Sequence, residues 1–140
     1  KYLKIIGTGP LLEELKKKYD EPSILFLDNL DNSEVLKIIS NSKAVVTSTK
    51  LFEGQPTLLC EAASLSIPSI FPKSGGIEEF FPKQYPLSFT QFDYKELTEK
   101  LLMVENTEFL SSTGRESKEF FSKNFNETGT INILKRVINE

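Results

Sequence analysis

The sequence predicts an α/β fold, a doubly wound and mostly parallel sheet with helices at its carboxyl-terminal end. Three observations predict it. Short apolar runs such as "YLKII", "SILFL" and "AVVTS" alternate with amphipathic stretches of helical period, the pattern of parallel strands joined by helical crossovers. Gly, Pro, Asn and Ser punctuate the junctions, where the backbone must turn. From Asp93 onward only helical pattern remains. The expected layout is one partial domain, with an α/β core over residues 1–92 and a helical tail over 93–140.

Taken in order, "YLKII" is a strand and "GTGP" turns it into the helix "PLLEELKKKY". Pro10 suits a first helical position, where its missing N–H would be an orphan anyway. Leu11, Leu12 and Leu15 form one apolar face, and early Glu with late Lys complements the helix dipole. "SILFL" is the second strand. "NSEVLKIISNS" is a helix capped by Asn32 or Ser33, burying Val35, Leu36 and Ile39. "AVVTS" is a third strand whose continuous apolar start predicts burial on both faces. The loop "LFEGQP" leads to the helix "TLLCEAASLS", and "IPSIF" is the fourth strand. "IEEFF" is a short helical piece and "PLSF" a last short strand. The tail comprises "DYKELTEKLLMV", "NTEFLSSTGRESKEFFSKNF" and "ETGTINILKRVINE", all helical.

Composition removes several classes of function. The 140 residues include 17 basic and 20 acidic side chains without a basic block, which argues against nucleic acid as a partner. With no His and one Cys, the chain cannot build a Ser-His or Cys-His nucleophile or a usual zinc site. The lone Cys also excludes an internal disulfide and suits a reducing compartment. No apolar run approaches the roughly 20 residues of a membrane span, and no signal-peptide pattern is present. The chain opens "KYLKIIG", already strand-like and without Met, and is read as a segment of something longer.

Three stretches are candidate sites. In "GTGPLL", Gly7 and Gly9 lie between strand and helix and could approach a phosphate. Asp28 follows about twenty residues on, as a dinucleotide-binding turn requires. Leu12 holds the third glycine position, which favours a plain strand–helix turn. In "SGGIEEF", Ser74, Gly75 and Gly76 follow a strand at the sheet edge where ligands bind, or make an ordinary turn. Glu78 and Glu79 would complement a helix start. In "LFEGQPTLLCEA", Glu53 sits in a Gly/Pro loop and Glu61 on a helix. Thr57 and Glu61 share one helical stripe, with Leu58, Ala62 and Leu65 on a separate apolar face. Such a carboxylate needs a partner: vicinal ligand hydroxyls would serve, as would a lysine. Free N–H groups at Thr57, Leu58 and Leu59 would suit a diphosphate. Cys60 is a small core residue with nothing near to activate it.

"FEGQPTLLCEA" resembles the E-x7-E segment of retaining glycosyltransferases of the GT-B fold, family 4. "LKIIGTGPLLEEL", "SILFLDNL", "NSEVLKIISNSKAVVTSTKLFEG" and "SIPSIFPKSGGIEEF" resemble that family's neighbouring elements, in the same order from about Tyr2 to Phe81. The resemblance implies the Rossmann-like, donor-binding half of a GT-B enzyme. Glu53, with Gly54, Gln55 and Pro56, would contact the transferred sugar. Thr57, Leu58 and Leu59, with Gly7 and Gly9, would hold the diphosphate, and Glu61 the ribose. The base would lie against Asp28, Asn29 and Leu30, although the family commonly has Gly at the Asp28 position. The donor would be a UDP- or GDP-linked hexose, with no metal and no cofactor. The acceptor, a glycan or lipid-linked sugar, would be bound by a separate amino-terminal domain, in polysaccharide or glycolipid synthesis in the cytoplasm. Association of the full-length protein with the inner membrane face is a further implication. The family's first strand and helix, which carry an Arg and a Lys for the donor phosphates, have no counterpart here. That strand is central, so its absence would leave two rows of backbone groups unpaired, and the chain alone is expected to be inactive. Two other readings stay open: a nicotinamide-dependent oxidoreductase using Gly7, Gly9 and Asp28, and a non-catalytic α/β module with solvated acids.

Overall fold

The computed structural model describes residues 2–126 together with Gly129, Ile131, Lys135, Arg136 and Ile138. Apart from those last five, "ETGTINILKRVINE" lies outside the described residues. The chain divides into two compact units, Lys1–Lys37 and Ile38–Glu140.

In the first unit β1 (Leu3–Ile6) and β2 (Ile24–Leu27) pair in parallel, from Leu3 opposite Ile24 to Ile6 opposite Leu27. The helix α1 (Leu12–Lys18) crosses between them. It begins later than the expected Pro10, which lies in the preceding turn where the Leu12 amide donates to Gly9. Leu11 therefore falls outside the helix and is 60% exposed instead of sharing an apolar face. No described residue of this unit is fully buried, as expected of two strands and one helix, too few to enclose a core. The next helix, α2 (Asn32–Ser40), runs across the boundary between the units. Its cap is Asp31, not Asn32 or Ser33. The Asp31 carboxylate accepts from the Glu34 amide at 3.0 Å and the Ser33 hydroxyl at 2.8 Å, while Glu34 reaches back to the Asp31 amide, a capping box. Those bonds, the Glu34 amide first, hold the Asp31 carboxyl below the usual carboxylate range.

The second unit holds β3 (Val45–Val46), α3 (Thr57–Ser64), β4 (Ser69–Lys73), a 3-10 turn (Ile77–Phe80), β5 (Ser88–Thr90), α4 (Tyr94–Leu102) and α5 (Thr107–Asn124). Its sheet is parallel throughout, in the order β3-β4-β5. Central β4 is buried from Ser69 to Pro72. By contrast β3 is an edge strand of two residues, and Val46 is 38% exposed, so the expected burial on both faces does not hold. Its shortness has a covalent cause. The Thr47 amide donates to Ile70 at 2.9 Å, and the next donor along that edge of β4 would be residue 72. Proline has no N–H to give, so the ladder stops and the chain after Thr47 leaves the sheet.

The core gathers Leu59 and Ala63 of α3, Ile70 and Phe71 of β4, Ile77, Phe81, Tyr85, Leu87, Phe89 and Leu110. At its centre Phe71 contacts Phe81 and Tyr85, with ring centroids 4.5 and 5.3 Å away. The Tyr85 hydroxyl accepts from the buried Ser69 amide at 3.0 Å and bonds Ser117 of α5. Burial raises the phenol's pKa above its usual value. Tyr85→Phe leaves the Ser69 amide buried without an acceptor, and denaturant unfolding should read a loss of about 1–3 kcal/mol. The neighbouring Ser69 hydroxyl is buried without any partner among the described residues. Ser69→Ala removes that orphan and should therefore be neutral or stabilising in the same assay.

Candidate functional site

Once β3 has ended at Val46, residues 47–56 form an irregular segment that delivers Pro56 to the start of α3. Pro56 is buried and its carbonyl accepts from both Leu59 and Cys60, each at 3.0 Å. This turn and the carboxyl end of β3 enclose a cleft of about 310 Å³. Glu53, Gln55, Pro56, Thr57, Leu58 and Leu59 line it, together with Thr47, Thr49 and Ile77. Thr47 and Thr49 were missed at the level of sequence, although their place just past a parallel strand is the signal that would have found them.

Glu53 is half-buried and its carboxylate forms no ion pair among the described residues. Glu61 is half-buried one helical turn beyond Thr57 and likewise unpaired, but it does not line the cleft. The face of α3 that packs inward is Leu59, Cys60, Ala62 and Ala63. Leu58 and Leu65, expected on the apolar face with Ala62, are 40% and 39% exposed. They share the outer side with Thr57 and Glu61, because the core contacts α3 from the Leu59–Ala63 side.

The amides also differ from expectation. Thr57 donates to Gln55 and Leu59 to Pro56, each at 3.0 Å, so neither is free. From Phe52 to Leu59, the amides that donate to no group among the described residues are those of Phe52, Glu53, Gly54, Gln55 and Leu58. The donors thus lie mostly in the loop before α3, pulled there because a tight turn at Pro56 consumes those of the first helical turn.

The glycine loop "SGG" lies against this same segment. Gly76 donates its amide to the Glu53 carbonyl at 2.9 Å. Gly75 has φ of +60°, and a Cβ there would collide with the Glu53 carbonyl oxygen and stand 2.9 Å from its nitrogen. A Cβ at Gly76 would stand 3.0 Å from the Gly54 oxygen. The loop is therefore more than an ordinary turn: it is the seat of Glu53.

Gly7, Gly9, Asp28, Asn29 and Leu30 belong to the first unit, after the carboxyl ends of β1 and β2. Gly7 has φ of +120°, a conformation that favours glycine, and its amide extends the ladder to Leu27 at 3.1 Å. That amide is engaged, whereas the Gly9 amide donates to no group among the described residues.

Burial, and next the Glu61 carboxylate, push the Cys60 thiol up to about 11. Folded protein at pH 8 should react with a thiol reagent only as fast as it unfolds. The raised value also has a consequence for stability. Between the ordinary thiol value of 9.0 and about 11 the unfolded thiol ionises and the folded one does not. Cys60 thus stabilises the fold below that window and loses its contribution as pH rises through it. A Cys60→Ala variant should show a shallower alkaline decline in unfolding midpoint across the same window.

Among the described residues no group of three or more His, Cys, Asp or Glu could hold a metal ion, and no helix is long and apolar enough to cross a membrane. No protein-family model and no curated protein matches the chain. Solved structures do. The chain is similar to sucrose-phosphate synthase from Thermosynechococcus elongatus, with a TM-score of 0.81 and 17% identity over 97% of this chain and 38% of that one. It is similar to Anabaena HepE in complex with UDP and glucose, with a TM-score of 0.81 and 15% identity over 99% of this chain and 41% of that one. TarM gives a TM-score of 0.77 and 19% identity over 99% of this chain and 28% of that one. These likenesses define the fold as the Rossmann-like half of GT-B glycosyltransferases, with parallel sheets and carboxyl-terminal helices. The chain spans between 28% and 41% of the lengths of those structures.

Proposed function

We propose that this chain is the donor-binding segment of a retaining glycosyltransferase of the family 4 type. It would bind a UDP- or GDP-linked hexose for transfer to an acceptor hydroxyl. The observation that carries the reading is the half-buried, unpaired Glu53 in a cleft also reached by the turn bearing the free Gly54, Gln55 and Leu58 amides. A carboxylate accepts hydroxyl protons from a sugar, and free amides donate to a diphosphate. Glu61, on the outer side of α3, would take the ribose. The solved Anabaena structure holds UDP and glucose on the same fold, which supports this choice of ligand.

In the reaction the anomeric C–O bond to the diphosphate breaks as the acceptor oxygen bonds the same carbon. The acceptor proton leaves with the departing phosphate oxygen. Stabilising the charge that develops on that diphosphate is the main task of the site. The amides here would contribute, with an Arg and a Lys supplied from outside this chain. No metal or cofactor enters the proposal. The acceptor, a glycan or lipid-linked sugar, would come from a separate domain, in polysaccharide or glycolipid synthesis in the cytoplasm at the inner membrane face.

Calorimetric titration of the full-length protein with UDP, GDP, NAD and UDP-glucose tests the proposal. Binding of a nucleoside diphosphate and its sugar, without NAD, is the expected result. NAD binding alone would overturn it in favour of an oxidoreductase, and no binding at all would point to a non-catalytic module.

A further inference from the structure

Residues 49–53 are attached to the body of the second unit through alternate carbonyl groups. Gln91 Nε2 donates to the Thr49 carbonyl at 3.4 Å. The Ser74 hydroxyl donates to the Leu51 carbonyl at 3.2 Å, and the Gly76 amide to that of Glu53 at 2.9 Å. Gln91 also donates to Ser74 Oγ at 3.0 Å, which joins two of the three attachments. The segment is irregular, with a bend at Leu51, so two side chains and one backbone amide hold it where the ladder to β4 has ended. Ser74 is buried and Gln91 half-buried, so water competes poorly for these bonds.

We infer that Ser74 and Gln91 are positioning residues that hold the Glu53 segment in the geometry the sugar of a nucleotide-sugar donor requires. They bond the backbone just before Glu53, at Leu51 and Thr49, and do not line the cleft. The inference rests on the proposed function for its ligand, but the attachment itself is independent of any ligand. A carboxylate on a loose loop must be ordered when it binds, and small displacements of a positioned group are costly.

Two measurements on the full-length protein test it, using Ser74→Ala, Gln91→Ala and the hydroxyl-retaining Ser74→Thr. In ligand-free protein, hydrogen exchange at the Gly76 amide should quicken about tenfold in both alanine variants, with Ser74→Thr close to wild type. In titrations, the preference for UDP-glucose over UDP should fall about tenfold in the alanine variants while UDP affinity is retained. Unchanged Gly76 exchange would overturn the attachment. Equal losses for UDP and UDP-glucose would overturn the positioning role, since general loosening affects both ligands. A wild-type protein that binds neither UDP and UDP-glucose nor GDP and GDP-glucose would sink the proposed function, and Gly76 exchange would still decide whether the scaffold holds the loop.

Discussion

Glu61→Ala is expected to weaken UDP and UDP-glucose binding alike, by about 10- to 100-fold. Hydrogen bonds to a charged group contribute about 1.5–3 kcal/mol, and each 1.4 kcal/mol or so is tenfold in affinity. The two ligands share the ribose, so the loss is common to both. Glu53→Ala should behave differently, lowering UDP-glucose affinity by a similar factor and leaving UDP almost unchanged. Neither variant should unfold the protein. Both carboxylates are unpaired among the described residues, so no partner is stranded, and the inward face of α3 is Leu59, Cys60, Ala62 and Ala63. Alanine is also a better helix former than glutamate at residue 61. Titration calorimetry beside a thermal melt reads both quantities. Unchanged UDP affinity in Glu61→Ala would remove Glu61 from the site, and a common loss in Glu53→Ala would remove the sugar assignment.

Gly114→Ala is expected to destabilise the fold by about 2 kcal/mol, although alanine is the better helix former. The residue lies inside α5 and is buried. A Cβ there would run into the Ser66 carbonyl oxygen and stand 3.3 Å from Pro68 Cδ. Ser66 cannot easily withdraw. It has φ of +61° and closes the end of α3, donating its amide to Ala63 at 3.0 Å, with Ile67 donating to Ala62 at 2.9 Å. That left-handed cap turns its carbonyl toward α5. The gain in helix propensity is about 1 kcal/mol, against an overpacking cost near the top of the usual range, about 3 kcal/mol. The collision wins. A thermal melt should drop by roughly 8 °C, and a melt unchanged or raised would mean that the two helices separate at little cost.

Much of this protein was legible in its sequence because local chemistry dictates it. The order of strands and helices follows from where apolar runs alternate with helical period. Helix boundaries were less legible. Asp31 takes the cap expected of Asn32 or Ser33 because its carboxylate reaches the Glu34 amide, a matter of local geometry that composition leaves open. Of the expected apolar face of α3, Ala62 is buried but Leu58 and Leu65, which look like core residues, are exposed, and Leu59, Cys60 and Ala63 take their place. Only packing against β4 and α5 distinguishes those faces.

The site divides in the same way. The sequence by itself determined the fold class, the candidacy of Glu53 and Glu61, and the loop from Gly54 to Leu58, because residue types and spacing carry that information locally. Tertiary structure alone decided why the strand before the site is short and what holds Glu53 in place. Each of those outcomes joins positions far apart in the chain: Thr47 with Ile70, Glu53 with Gly76, Thr49 with Gln91. A hydrogen bond between distant residues leaves no period or motif in a single sequence. It exists only once the backbone has brought its two ends together.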